Sequence, residues 1–150
     1  MKKLIILVRH GKHTDGFLND VGIEQIRQTA KKLAALITED QTIALFASPF
    51  QRTIMSAEII AKVLGVKDII PAELISDDNY DEDLIFEFVK SKEIEADIII
   101  LVTHGKHVYA FPQYFSCNEW GKTKKVDLIQ TGDAVIIDCE NKELMHLKST

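Results

Sequence analysis

Two stretches of the chain are apolar without a break: Leu4 to Val8 reads Leu-Ile-Ile-Leu-Val, and Ile98 to Val102 reads Ile-Ile-Ile-Leu-Val. A strand with one wet face alternates apolar and polar residues. Unbroken, mostly β-branched runs of this length instead predict strands covered on both faces, as in the parallel sheets of α/β domains. Thr42 to Ala47 and Ala134 to Asp138 read as further strands, and Glu143 to Leu147 as a partner for the latter across a turn at Asn141. Between the strands the period changes. Ile23, Ile26, Ala30, Leu33, Ala34 and Ile37 share one helical face, with Asn19 or Asp20 placed to cap it. Ile54, Ala57, Ala61 and Leu64 make a second helical face that stops at Gly65, and Leu84, Ile85, Phe88 and Val89 make a third. Alternating strands and helices predict a three-layer α/β/α sandwich around a mostly parallel central sheet. No linker or low-complexity stretch interrupts the pattern, so residues 1–150 are expected to form one domain. The acidic run from Asp77 to Asp83 reads as a solvated loop leading into the third helix. Phe111, Tyr114, Phe115 and Trp120 read as packing residues in a segment, 111 to 130, whose structure the pattern does not reveal.

Composition narrows the function. Hydrophobic residues make up 46% of the chain and charged residues 27%, an ordinary soluble profile, and the formal net charge is −5. Such a balance argues against general affinity for nucleic acid or anionic membrane, so neither is expected as a partner. An acidic protein that handles phosphate must concentrate positive charge locally, which makes the position of each arginine informative. Cys117 and Cys139 lack zinc-ligand spacing and are too few for a disulfide framework. The start, Met1-Lys2-Lys3 before a short apolar run, lacks the length of a signal peptide or a membrane span. These features together imply a cytoplasmic protein with reduced thiols.

The two apolar runs end alike. Residues 6 to 13 read ILVRHGKH and residues 100 to 107 read ILVTHGKH, identical at seven of eight positions. The separation is too long for a solenoid repeat. Two buried strands therefore each deliver a His-Gly at their carboxyl ends, the edge of an open α/β sheet where ligands bind. In Arg9-His10-Gly11 the glycine permits a sharp turn, the histidine can point into a cleft, and the arginine offers a planar fork suited to phosphate oxygens. At the end of the Thr42 to Ala47 strand, Ser48-Pro49-Phe50-Gln51-Arg52 starts a helix, with Ser48 a candidate cap, Pro49 a first-turn residue and Arg52 in the anion-favouring first turn. Three strand ends thus each present a phosphate-compatible group on one rim.

With these residues in hand, the chain resembles the histidine phosphatase superfamily, the phosphoglycerate mutase-like proteins. The resemblance rests on Leu7-Val8-Arg9-His10-Gly11, on Leu18 to Gln25 with Gly22 and Gln25, on Ser48-Pro49 with Arg52, on Ala57-Glu58-Ile59-Ile60, and on Val102-Thr103-His104-Gly105, in the family's order. It implies that His10 is a nucleophile that becomes phosphorylated and that Arg9, Arg52 and His104 complete a catalytic phosphate pocket. Gly11, Lys12, His13 and Gly105 are candidate substrate-binding residues beside it, with His13 and His107 expected at the pocket mouth and Lys12 and Lys106 adding positive potential. Many members carry a glutamate after the second arginine as general acid. The gap-free position here is Ser76, with Glu73, Asp77 and Asp78 nearby, so Asp77 and Asp78 are the candidate acids. Only six residues separate Gly11 from Leu18, too few for the insertion with which mutases enclose sugar phosphates. In size and economy the chain is similar to the small phosphohistidine phosphatase subgroup, which lacks that acid.

The expected partner is therefore a phosphorylated substrate, either a phosphoprotein or a small molecule, and the expected activity is phosphatase chemistry through a covalent phosphohistidine. The alternatives are a non-catalytic phosphate-binding regulatory domain, whose signature would be loss of a pocket residue, and mutase-type phosphoryl transfer. His10-x-x-His13 with His104-x-x-His107 could also offer four imidazoles to a metal. Two arginines beside a divalent ion disfavour that arrangement, so no metal or other cofactor is expected.

Overall fold

The computed structural model describes residues 3–150. Met1 and Lys2, the charged start noted above, lie outside the described residues. The chain runs through β1 (Leu4–Arg9), a short ribbon of β2 (His13–Thr14) and β3 (Phe17–Leu18), α1 (Asp20–Leu36), β4 (Ile43–Ala47), α2 (Gln51–Leu64) and β5 (Ile69–Pro71). A 3-10 turn (Glu73–Ile75), α3 (Glu82–Lys92), β6 (Ile98–Thr103), α4 (Gly105–Trp120), β7 (Ala134–Asp138) and β8 (Glu143–Leu147) follow. Six strands form one sheet in the order β5-β4-β6-β1-β7-β8, with β2 and β3 apart as a ribbon. β5, β4, β6 and β1 are parallel, whereas β7 runs antiparallel to β1 and to β8.

The unbroken runs are explained by burial on both faces. Leu4, Ile6, Val8, Ile98, Ile100 and Val102 point toward α1 and α2, where they meet Ile26, Ala30, Leu33, Ala57 and Ile60. Ile5, Leu7, Ile99 and Leu101 point the other way, onto Ile85 and Val89 of α3 and Val108, Phe111 and Phe115 of α4. Each fully buried side chain of this size contributes about 1.5–3 kcal/mol, so a polar residue on either face of β1 or β6 would be costly.

Register then positions the two histidines. β1 pairs with β6 as Ile6↔Ile100, Leu7↔Leu101, Val8↔Val102 and Arg9↔Thr103. The repeated octapeptide is thus aligned with itself across the sheet, and His10 and His104 leave adjacent strands at the same level.

The helix ends follow the sequence in part. Asn19 caps α1 by accepting from the Gly22 N–H at 2.9 Å, and α2 stops at Gly65. The α2 start differs from expectation. The helix begins at Gln51, after Phe50, with no side-chain cap. The Ser48 hydroxyl is engaged elsewhere, as described below. The first half of the segment 111–130 is the end of helix α4, with Pro112 inside it, and the second half has no regular structure. Phe111 and Phe115 of the helix are buried and meet each other, and Phe115 also meets Phe86 and, edge-on, Trp120, so the aromatic cluster is packing. Among the described residues no helix is long and apolar enough to cross a membrane.

Candidate functional site

The carboxyl ends of β1, β4 and β6 carry His10, Ser48 and His104, and all three side chains are buried. His10 Nδ1 lies 2.9 Å from the Gly11 carbonyl oxygen. A carbonyl only accepts, so Nδ1 carries the proton and Nε2 keeps its lone pair. Arg52 Nε donates to that Nε2 at 3.3 Å. The Arg52 guanidinium also stacks on the Phe50 ring at 4.9 Å, and the same ring meets His104 edge-on at 4.9 Å, so Phe50 orients both groups. The His10 and His104 rings are 5.5 Å apart, and His13, on the exposed β2, sits 5.3 Å from His10 on another side.

His104 Nε2 meets Ser48 Oγ at 2.8 Å. Its other ring nitrogen, Nδ1, is buried without a partner among the described residues, as is Arg9 Nε. Arg9 donates through Nη1 to the Ile129 carbonyl at 2.7 Å and lies over the start of α4. A Cβ on Gly105 would come within 3.0 Å of Arg9 Nε, so this glycine leaves the space that the guanidinium occupies.

The backbone around His10 is held from several sides. Gly11 N–H donates to Ser56 Oγ at 3.1 Å, and Lys12 N–H donates to Gln25 Oε1 at 2.9 Å. Gly11 does not need a left-handed conformation, contrary to a turn-based reading of the Arg-His-Gly triplet. It is needed for close approach, since a Cβ there would lie 2.5 Å from the Gly22 carbonyl, and one on Gly22 would strike the Lys12 backbone. The resemblance to Gly22 and Gln25 thus has a local cause. The Lys12 side chain itself is exposed.

Burial dominates the electrostatics. It pushes the His10 imidazole down from 6.5 to about 4, helped by the nearby Arg52 and Arg9 charges and opposed by the Gly11 hydrogen bond. His104 falls to about 3, again mainly through burial, with Asp77 opposing and His10 and Arg52 adding. His13 is lowered too, by partial desolvation and then by Arg52 and Arg9. His10 and His104 are neutral at pH 7 in a pocket whose positive charge comes from the arginines.

The two candidate acids separate. Asp77 Oδ2 faces the site, 3.9 Å from Arg52 Nη2. Asp78 lines a groove with Leu84, Phe88 and Lys92. The loop that carries them is tied down by Lys106, which donates to the Asp77 carbonyl and lies 3.4 Å from the centre of the Tyr80 ring.

His107 corrects an expectation. It does not line the pocket mouth and cannot join a four-imidazole metal site. It is fully buried, with Nε2 donating to the Ser76 carbonyl at 2.9 Å and Nδ1 3.1 Å from a Glu82 carboxylate oxygen. As the third residue of α4 it turns beneath the Ser76–Glu82 loop rather than toward His10. Ser48, Phe50 and Ser56 are site residues that sequence reasoning missed. Ser48 and Phe50 flank the Pro49 that drew attention, and Ser56 lies one turn beyond Arg52.

Two strand-end histidines, with two arginines around one of them, meet at the carboxyl rim of an α/β sheet. Residues 5–81 match the family model of the histidine phosphatase superfamily (branch 1), and the chain belongs to that family. The fold recurs in solved structures. The protein histidine phosphatase SixA, in complex with tungstate, is 16% identical, with 97% of each chain covered and a TM-score of 0.70. A phosphoserine phosphatase mutant from Entamoeba histolytica, in complex with phosphoserine, is 15% identical over 96% of this chain and 94% of its own, with a TM-score of 0.62. A phosphoglycerate mutase from Plasmodium falciparum is 20% identical over 98% of this chain and 89% of its own, with a TM-score of 0.57. No curated protein is similar enough in sequence to count as a match. At these identities the likeness establishes the fold, an α/β sandwich of the phosphoglycerate mutase type. Members of the superfamily are phosphatases or mutases, so the family makes this chain an enzyme of that kind.

Proposed function

We propose that the chain is a phosphatase that works through a covalent phosphohistidine on His10, acting on a phosphohistidine-bearing protein or a small phosphomonoester. The observation that carries this reading is the placement of the two His10 ring nitrogens. The Gly11 carbonyl holds the proton on Nδ1, which leaves Nε2 as the ring's lone-pair nitrogen, accepting from Arg52 Nε at 3.3 Å. In the first step Nε2 forms an N–P bond as the bond from phosphorus to the leaving group breaks. The electron pair departs with the leaving group, which takes up a proton. In the second step a water oxygen bonds to phosphorus, the N–P pair returns to Nε2, and the water proton passes to solvent with release of phosphate. Splitting the reaction in this way replaces one difficult step with two easier ones.

Phosphoryl transfer spreads charge over three equatorial oxygens, so catalysis is mainly positioning and charge stabilisation. Arg52, Arg9 and His104 suit that task. Two guanidinium groups carry the charge, so the proposed chemistry requires no metal. Gly11, Lys12, His13 and Gly105 would line the approach. The short connection from Gly11 to Leu18 leaves the rim open, which favours a phosphoryl group presented on a protein and disfavours a mutase. The name of the SixA relative points the same way. Mixing the protein with a chemically phosphorylated histidine peptide, and separately with p-nitrophenyl phosphate, should trap one phosphoryl group on His10, stable to alkali and lost in acid. Turnover without any labelled His10 would overturn the covalent route.

The histidines also set a pH dependence. His10 and His104 have folded pKa values below the unfolded value of 6.5, at about 4 and about 3. The unfolded chain therefore binds more protons between these limits. Stability is complete above pH 6.5 and is lost as pH falls toward 4 and then 3. An NMR titration of the free protein should place the His10 midpoint near 4. A midpoint at 6.5 would mean that the ring is solvated.

A further inference from the structure

The family match ends at residue 81, yet the backbone of Arg9 and His10 is gripped by a loop from the far end of the chain. Because β7 runs antiparallel to β1, the loop that leads into it, 129–133, lies at the rim where β1 ends. Gly132 N–H is shared between the Arg9 and His10 carbonyls, at 3.2 and 3.0 Å. Arg9 N–H returns to the Asp133 carbonyl at 2.9 Å, and Arg9 Nη1 reaches Ile129. Thr29 Oγ1 holds the Gly132 carbonyl at 2.5 Å from below. The loop fits closely. Gly132 has φ 83°, and a Cβ there would lie 2.7 Å from the Gln25 side chain.

What sets the shape of this loop is the Asp133 carboxylate, only 2% exposed. One oxygen accepts from Gln130 N–H at 3.1 Å and from His146 Nε2 at 3.0 Å. The other accepts from Ser149 N–H at 3.0 Å. Three donors therefore converge on one buried acid. Two of them come from β8 and the residues after it, which run back to the same rim because β8 is antiparallel to β7. A buried acid with this number of partners, on an element that touches the candidate nucleophile only through backbone, is built to fix a position.

We infer that Asp133 is a positioning residue for His10, and that His146 and Ser149 make the C-terminal hairpin part of the machinery that holds the nucleophile in place. The inference rests on the reading of His10 as nucleophile. Displacing a reacting atom by about 1 Å costs as much as about 10²-fold in rate, so small movements of this loop matter.

The test uses Asp133→Asn, His146→Ala and His146→Gln in the full chain, beside His10→Ala. An asparagine keeps one acceptor oxygen but turns an N–H₂ group toward donors. Asp133→Asn should lower kcat by roughly tenfold to 10²-fold with little change in KM. It should also move the NMR midpoint of His10 upward from about 4 toward 6.5, because a displaced ring is less buried. Should Asp133→Asn fail to fold, the His146 pair carries the decision. His146→Ala should show the same two changes in milder form, and His146→Gln, which restores an N–H donor, should reverse them. If both His146 variants match the wild type in kcat and in the His10 midpoint while only the melting temperature falls, Asp133 and His146 are structural and the inference is overturned. If His10→Ala is itself as active as the wild type, the nucleophile reading fails first and the inference falls with it.

Discussion

His10→Ala is expected to bring turnover down to the uncatalysed background, a loss on the order of 10⁴–10⁶ in kcat, because a covalent mechanism has no substitute for its nucleophile. The structure suggests that the fold survives the change. His10 is buried, but its ring makes only one backbone hydrogen bond, to its own neighbour Gly11, and one side-chain hydrogen bond, from Arg52, beside edge contacts with His13 and His104. The strand that carries it is secured by pairing with β6 and β7 on both sides. Alanine removes a group that loses solvation on folding, so the stability cost should be modest and should shrink in acid, where the wild-type ring is driven toward its unfavourable charged form. Circular dichroism with thermal melting, run beside the rate measurement, separates loss of chemistry from loss of structure. The variant should still bind inorganic phosphate through Arg9, Arg52 and His104. Activity within tenfold of the wild type would rule out His10 as the attacking group.

Much of the site could be read from the sequence because it depends on strand ends. Leu4 to Val8 and Ile98 to Val102 read as doubly covered strands, and their matching His-Gly termini place His10 and His104 at one rim. Register alone completes that inference, and the pairing Val8↔Val102 supplies it. Arg52 is readable for the same reason, in the first turn of a helix that starts just after a strand end. The residues that escaped notice act through specific hydrogen bonds that no periodicity reveals. Ser48 looked like a cap and instead holds His104. Ser56 is one of many small residues on an ordinary helical face, and its partner, the Gly11 N–H, is far away in sequence. Asp133 sits in a turn whose role depends on β7 being antiparallel to β1. The mostly parallel sheet was expected, but which strand would reverse was not. α4 was hidden because Pro112 and an all-round aromatic pattern leave it without a clean apolar stripe. His107 departs from the position that the repeat with His13 predicts. The octapeptide repeats in sequence, but the second copy continues into a helix while the first enters the β2–β3 ribbon, so the last histidines of the two copies diverge.

The largest remaining effect concerns the leaving group, and the structure narrows it to one carboxylate. Asp77 faces Arg52 across 3.9 Å with its side chain about half exposed, whereas Asp78 lies in the groove beside Leu84 and Phe88. If Asp77 delivers the proton to a departing alkoxide, Asp77→Asn should reduce turnover of an alkyl phosphate by roughly 10²–10⁴-fold, the usual worth of a general acid, while Asp78→Asn changes little. Phosphohistidine needs less help, because imidazole departs as a weakly basic group whose conjugate acid has a pKa of about 6.5. The same substitution should therefore barely alter the rate on a phosphohistidine peptide, and aryl phosphates should fall in between. The loose pair with Arg52 points to a second consequence. A dianionic phosphate that engages the guanidinium would compete with Asp77, so removing the carboxylate charge should tighten phosphate binding slightly even as it slows alkyl transfer. Measuring kcat/KM for a series of leaving groups of falling basicity gives the answer as a slope. In the wild type the slope should be shallow if Asp77 protonates the leaving group, and it should steepen in Asp77→Asn. A steep slope in the wild type that Asp77→Asn leaves unchanged would mean that this loop holds no acid, and that the enzyme depends on substrates that leave unaided.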